Sequence, residues 1–183
     1  YFPINDIDKR TSKKSKKILE KKKININIGH LNSYAKKFYE SYIINKKKKI
    51  PLKDAKIAIS KNYYSINKKS KWITNKHSLK RAHLIRSKYD CILSTSKTIN
   101  SDNSKLDCRI EGLENKSPDI IIIDRKLKLK MNNKLIENKN RKIILFTQVH
   151  NKKKENYFKK KNIRVIKTSK MKDASDFLEI FKK

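Results

Sequence analysis

The stretch SKWITNKHSLKRAHLIRSKYDCILSTSKTINSDNSKLDCR, residues 70–109, passes from a helical to a strand pattern and sets the reading of everything around it. Thr74 reads as the N-cap of a helix over about 75–88, with Leu79, Ala82, Leu84 and Ile85 on its apolar side. The short apolar run 90–95 follows as a strand. Downstream, Ile120 to Ile123, four consecutive isoleucines ending at Asp124, reads as a central strand buried on both faces. Residues 143–147 read as another strand, 152–161 as a polar helix or loop, and 164–167 as a last strand. A last helix is expected over 173–182, with Phe177, Leu178 and Phe181 inward. Upstream, Lys56-Ile57-Ala58-Ile59-Ser60 reads as the first strand of the set. Strands alternating with helices imply an α/β fold, a mostly parallel sheet with helices on its faces.

The chain before residue 56 follows another pattern. Lysine-rich residues 10–23 carry Ile18 and Leu19 and read as a helix, and the alternating Ile24, Ile26, Ile28 as a strand. Gly29 breaks the chain. Leu31, Tyr34, Ala35, Phe38 and Tyr42 then recur at helical spacing to about residue 44, and this aromatic stripe reads as a core face rather than a base-stacking platform. Lys46 to Lys49 read as a solvated interdomain linker, closed by Pro51.

A net charge of +33 raises the question of a nucleic-acid partner. Only seven of the 50 basic residues are arginines, and lysine is a flexible point charge rather than a reader of bases. Lysine, asparagine and isoleucine are all abundant while glycine falls to two, the joint bias that AT-rich codons produce. A specific nucleic-acid partner is therefore not expected, although a basic nucleic-acid-binding module stays open as an alternative. No apolar run is long enough to span a membrane. The start, Tyr-Phe-Pro-Ile-Asn-Asp, lacks the features of a signal peptide and suggests a chain beginning mid-protein. Cys91 and Cys108, at no metal-like spacing, read as reduced thiols of a cytoplasmic protein. The four histidines, 30, 77, 83 and 150, are scattered and read as surface or packing residues, so no metal site is expected.

Within residues 70–109 the spacings resemble the reductase signature of bifunctional riboflavin-biosynthesis deaminase/reductase proteins. The family pattern runs S-x-W-I-T, then x-L-R-x-x-x-D-A-I-L, then T-x-x-x-D-(D/N)-P-x-L-x-x-R. Ser70, Trp72, Ile73, Thr74, Arg86, Asp90, Ile92, Leu93, Thr98, Asp102, Leu106 and Arg109 fall in register without a gap. Residues 56–60 match the family's first reductase strand, and the likeness extends over roughly residues 10–150. It implies a dihydrofolate-reductase-like sheet over residues 52–183, a linker over 46–51, and the tail of an α/β deaminase domain over 1–45. The zinc chemistry of that deaminase belongs to a part absent here, since the chain has no His-x-Glu, no Cys-x-Glu and no close cysteine pair.

The resemblance implies NADPH-dependent reduction of the ribosyl group of 5-amino-6-(5-phosphoribosylamino)uracil to ribityl. Carried over by motif, Ala58, Ser60, Trp72, Thr98 and Asp102 fall where the family binds NADP. Ser70, Arg86, Leu106 and Arg109 fall where it binds substrate. A phosphorylated sugar suits guanidinium forks, and two of the few arginines stand at those positions. The implied partner is this small-molecule substrate, with self-association open; the catalytic acid is not identified. Departures from the pattern are Asn62-Tyr63 in place of Asp-Gly, Lys97 for a small residue, Ser104 for proline and Arg125 for a small polar residue. They leave a degenerate, non-catalytic domain as a further alternative. Relatives continue into a Glu-Gly-Gly loop that this chain does not reach, so the 183 residues alone are expected to be inactive.

Overall fold

The computed structural model describes residues 1–65, 73–137, 140–169, 171 and 176. Contacts divide the chain into two compact units, one built on Tyr1–Lys56 and one on Ile57–Lys172.

The first unit holds three helices, α1 (Lys14–Lys21), α2 (Asn32–Phe38) and α3 (Glu40–Lys48). The isoleucine alternation at 24–28 forms no strand. A single parallel bridge joins Phe2 to Ile28, because one short segment with no further neighbour cannot build a ladder. The helix expected to 44 breaks at Tyr39 and resumes as α3, which takes in Lys46, Lys47 and Lys48. Lys46 is anchored rather than free: its Nζ pairs with Asp8 at 2.7 Å, beside the Arg10 guanidinium at 2.8 Å. These two cations hold the Asp8 carboxyl well below the usual carboxylate range, Arg10 most of all. The aromatic stripe does not face a core. Tyr34 and Phe38 are about three-quarters exposed, and in α2 only Ala35 is buried. Helical spacing shows which side chains share a face, not whether another layer covers it.

The second unit is a four-stranded, fully parallel sheet in the order β1 (Cys91–Thr95), β2 (Asp119–Ile123), β3 (Ile143–Thr147), β4 (Ile163–Lys167). Its helices are α4 (Lys76–Arg86), α5 (Ser96–Asp102) and α6 (Lys152–Lys160). The four apolar runs form strands because each buries a row of branched side chains. Register aligns Ile120 with Ile143 and Ile163 in one row, and Ile122 with Leu145 and Val165 in the next. Ile99 of α5, Phe158 of α6 and Leu127, Leu129, Leu135 and Ile136 of the β2–β3 connection complete that core. Ile120 and Ile122 are fully buried, whereas Ile121 and Ile123 are only partly so, which corrects the expectation of burial on both faces.

Two further expectations change. The N-cap of α4 is Asn75, whose Oδ1 accepts the Ser78 amide at 2.9 Å, not Thr74 one residue earlier. Residues 56–60 form no strand: Ile57 and Ile59 are 73% and 48% exposed, and the Ser60 N–H turns back onto the Tyr64 carbonyl at 2.8 Å. Alternation supplies a strand's faces, but its backbone groups need a neighbouring strand, and this segment has turned onto itself. The helix expected over 173–182 lies outside the described residues.

Candidate active site

Three of the expected substrate-side residues converge. Arg86 closes α4, and its Nη1 donates to the Asp107 carbonyl at 3.0 Å. Arg109 donates from Nε to the Asp107 carboxylate at 2.9 Å. Leu106 lies between them in sequence, partly buried against the sheet core, with φ of +52°. A leucine in the left-handed region costs about 1–2 kcal/mol, so neighbours must hold it there. Arg141, just before β3, does so: its guanidinium donates to the carbonyls of Lys105, Leu106 (3.0 Å) and Pro118 (3.2 Å). Pro118 directly precedes β2, so the cluster sits at the N-terminal edge of the sheet.

The electrostatics of this corner favour an anion. Burial pushes the Arg86 guanidinium down from its ordinary value, and the positive charge of Arg109 adds to the effect. Burial lowers Arg141 likewise. The Asp107 carboxylate is the partner for Arg109, whose side chain remains mostly exposed, and such a pair is worth at most about 1 kcal/mol. Arg109 is thus held only weakly by Asp107, and its planar fork has the geometry to bind carboxylate or phosphate alike.

The expected cofactor-side residues stand elsewhere on the same unit. Thr95 ends β1 and caps α5, its Oγ1 3.1 Å from the Thr98 hydroxyl. Asp102 closes α5 and is exposed, as is Lys97. Ser60 donates to Asn62 Oδ1 at 2.7 Å within the irregular loop that also carries the partly buried Ala58. In that loop Tyr63 takes φ of +65°, a left-handed conformation that carries a steric cost for any residue but glycine. The hydroxyls of Ser60 and Thr98 and the Asp102 carboxylate have the chemistry to meet ribose hydroxyls. The structure therefore groups Arg86, Leu106 and Arg109 at the N-terminal edge, and Thr98 beyond the C-terminal end of β1. Ser70 and Trp72 lie outside the described residues.

Sequence reading missed the side chains that hold these groups. His83, read as a packing residue, meets Asp107, Arg86 and Arg109 through Nδ1. Asp124, buried at the end of β2, accepts the amides of Lys128 and Leu129. That turns the following segment back toward α5, where Asn100 donates to the Lys128 carbonyl and accepts the Lys130 amide. Asn133 reaches the Ile99 carbonyl, and Asn103 accepts the Lys134 amide. The one available signal was the Asp that ends an apolar run, a position that favours local capping.

Other features of the described residues lack this basic character. An apolar cavity of about 550 Å³ within the first unit is lined by Phe2, Ile4, Ile7, Tyr39 and Ile43, with Asp6 as its one charge, the wrong sign for a phosphate. Cys91 and Cys108 are free thiols, and burial pushes Cys91 up to about 11. Among the described residues no cluster of metal-binding side chains occurs, and no helix is long and apolar enough to cross a membrane.

Residues 64–183 match the model of the RibD C-terminal domain. The riboflavin biosynthesis protein RibD of Aquifex aeolicus (strain VF5) is 30% identical over 146 residues, covering 78% of this chain and 40% of that protein. A deaminase/5-amino-6-(5-phosphoribosylamino)uracil reductase crystal structure from Thermotoga maritima superposes with a TM-score of 0.77 at 23% identity, over 97% of this chain and 48% of that one. Two crystal forms of Acinetobacter baumannii RibD give TM-scores of 0.68 and 0.73 at 16% identity, each over 96% of this chain and 48% of theirs. These structures share the fold, a dihydrofolate-reductase-like parallel sheet with flanking helices. The chain spans less than half the length of the relatives it matches. With two-thirds of its residues matched by that model, the chain belongs to the RibD C-terminal domain family.

Proposed function

We propose that the chain carries the reductase part of a bifunctional riboflavin-biosynthesis protein. In this reading it reduces the ribosyl group of 5-amino-6-(5-phosphoribosylamino)uracil to ribityl in the cytoplasm. Residues 52–183 form the reductase domain, 46–51 the linker and 1–45 the tail of the deaminase domain. The observation that carries the reading is the convergence of two guanidiniums on one residue, Arg86 on the Asp107 backbone carbonyl and Arg109 on its carboxylate. The surplus positive charge suits a sugar phosphate.

Arg86 and Arg109, with Leu106 and Ser70, hold the phosphorylated substrate. Ala58, Ser60, Trp72, Thr98 and Asp102 hold NADPH, which supplies the hydride. The hydroxyls of Ser60 and Thr98 and the carboxylate of Asp102 support this assignment, as groups suited to ribose hydroxyls. The protein's task is placement, because hydride transfer needs donor and acceptor carbons within roughly 3–3.5 Å. Fixing the phosphate at the arginines removes most of the sugar's freedom before the reacting carbon is aligned.

The test is NADPH binding by isothermal titration at near-physiological salt, where charges beyond about 8 Å are screened. Saturable one-to-one binding, weakened in Asp102→Ala and Thr98→Ala, supports the reading. Binding that only declines smoothly with added salt and ignores both substitutions rejects it in favour of a polycation with no cofactor site.

A further inference from the structure

We infer that His83 is the positioning residue of the arginine pair: its Nδ1, held unprotonated, accepts the Arg109 backbone amide and so fixes Arg109 beside Arg86. The inference rests on the reading of those arginines as the phosphate site.

Three groups crowd one ring nitrogen. The Arg109 amide points at Nδ1 from 3.2 Å, the Asp107 carbonyl lies 3.1 Å away, and Arg86 Nη1 lies 3.4 Å away. Arg86 Nη1 also donates to that same carbonyl at 3.0 Å. With Nδ1 bare, the Arg109 amide donates to it, and Arg86 Nη1, within reach of both Nδ1 and the Asp107 carbonyl, lies against the two acceptors and offsets their mutual approach. With Nδ1 protonated, its N–H and Arg86 Nη1 both turn to the Asp107 carbonyl, and the Arg109 amide loses its acceptor and faces another proton. Hydrogen-bond accounting therefore selects the tautomer with its proton on Nε2.

Charge points the same way. The ionisable groups acting on the ring are Arg86 on its own helix and Asp107 and Arg109 on the segment after α5, while the Cys108 thiol donates to the His83 backbone carbonyl at 3.4 Å. Burial, then the neighbouring Arg86, pushes the ring below its ordinary value, Arg109 acts in the same direction, and together they outweigh the Asp107 carbonyl and carboxylate, which pull it up. The amide that His83 holds belongs to the residue whose side chain reaches the anion, so the bond sets where that guanidinium starts.

The test uses ring spectra of ¹⁵N-histidine-labelled chain and titration with ribose 5-phosphate as the probe. Ring spectra at neutral pH should place the His83 proton on Nε2; a proton on Nδ1 overturns the inference, whatever the ligand. An asparagine Oδ1 falls where Nδ1 sits, whereas a glutamine places its acceptor beyond it. His83→Asn should therefore bind ribose 5-phosphate within about threefold of the native chain, and His83→Gln roughly 5- to 30-fold more weakly, the loss of one hydrogen bond. Equal affinities in the two variants overturn the inference. Unchanged affinity in Arg109→Ala would instead remove the phosphate-site reading, and the ring spectra would still judge the state of His83.

Discussion

Replacing Asp124 with alanine tests how the sheet positions α5. The carboxylate is 3% exposed and accepts the Lys128 amide at 2.8 Å and the Leu129 amide at 2.7 Å. Hydrogen bonds to an ionised acceptor contribute about 1.5–3 kcal/mol each. Lys128 is exposed, so its amide can turn to water, but Leu129 is fully buried and its N–H would be left without a partner. The backbone bonds from Asp124 to the Phe146 carbonyl and from Leu127 to Asp124 survive the change. The net loss should be about 2.5–4 kcal/mol, against a total stability of about 5–15 kcal/mol for a domain. For a unit of this size that is a drop of roughly 10–15 °C in Tm, measured by circular dichroism. Asp124→Asn keeps one acceptor and should fall between. Amide exchange should rise first at 128–130 and in α5, because Asn100 ties the two together. A drop no larger than that of a surface change such as Lys126→Ala would refute the reasoning.

Three other changes follow from the same structure. Arg141→Lys keeps the charge but loses the planar fork that spans three carbonyls; Tm should fall, ribose 5-phosphate should bind more weakly, and an unchanged affinity would separate Arg141 from the site. Tyr63→Gly should stabilise by about 0.5–1 kcal/mol, the relief of a left-handed tyrosine less the greater freedom of glycine in the unfolded chain, read as a rise in denaturant midpoint. The fold holds His83 below its ordinary value of 6.5, so below that pH the unfolded chain binds more protons than the folded one. Stability should therefore decline as pH falls through that window, and denaturant melts of His83→Asn should show a flatter profile; identical profiles would deny the shift.

Much of the second unit was legible because buried strands announce themselves as apolar runs. The runs at 91–95, 119–123, 143–147 and 163–167 all became strands within a residue or so of their expected bounds. The α4 cap moved by one residue because Thr74 and Asn75 are both capping types and only the backbone decides between them. Ile57 and Ile59 misled because alternation describes faces and is silent on whether a partner strand exists. The asparagines misled in another way. In a chain rich in lysine, asparagine and isoleucine they looked like compositional bias, yet Asn100, Asn103 and Asn133 each carry backbone bonds around α5. His83 was illegible for a related reason: its role depends on Asp107 and Arg109, more than twenty residues away, meeting it in space.

The arginines as the substrate's phosphate site are tested directly by initial rates of NADPH loss in the whole protein. With 5-amino-6-(5-phosphoribosylamino)uracil varied, Arg109→Ala should raise the KM for that substrate roughly 10- to 100-fold, the loss of one charged hydrogen bond, and leave the KM for NADPH within about twofold. An equal rise in both constants, or no substrate-dependent NADPH loss in the unaltered protein, would contradict it.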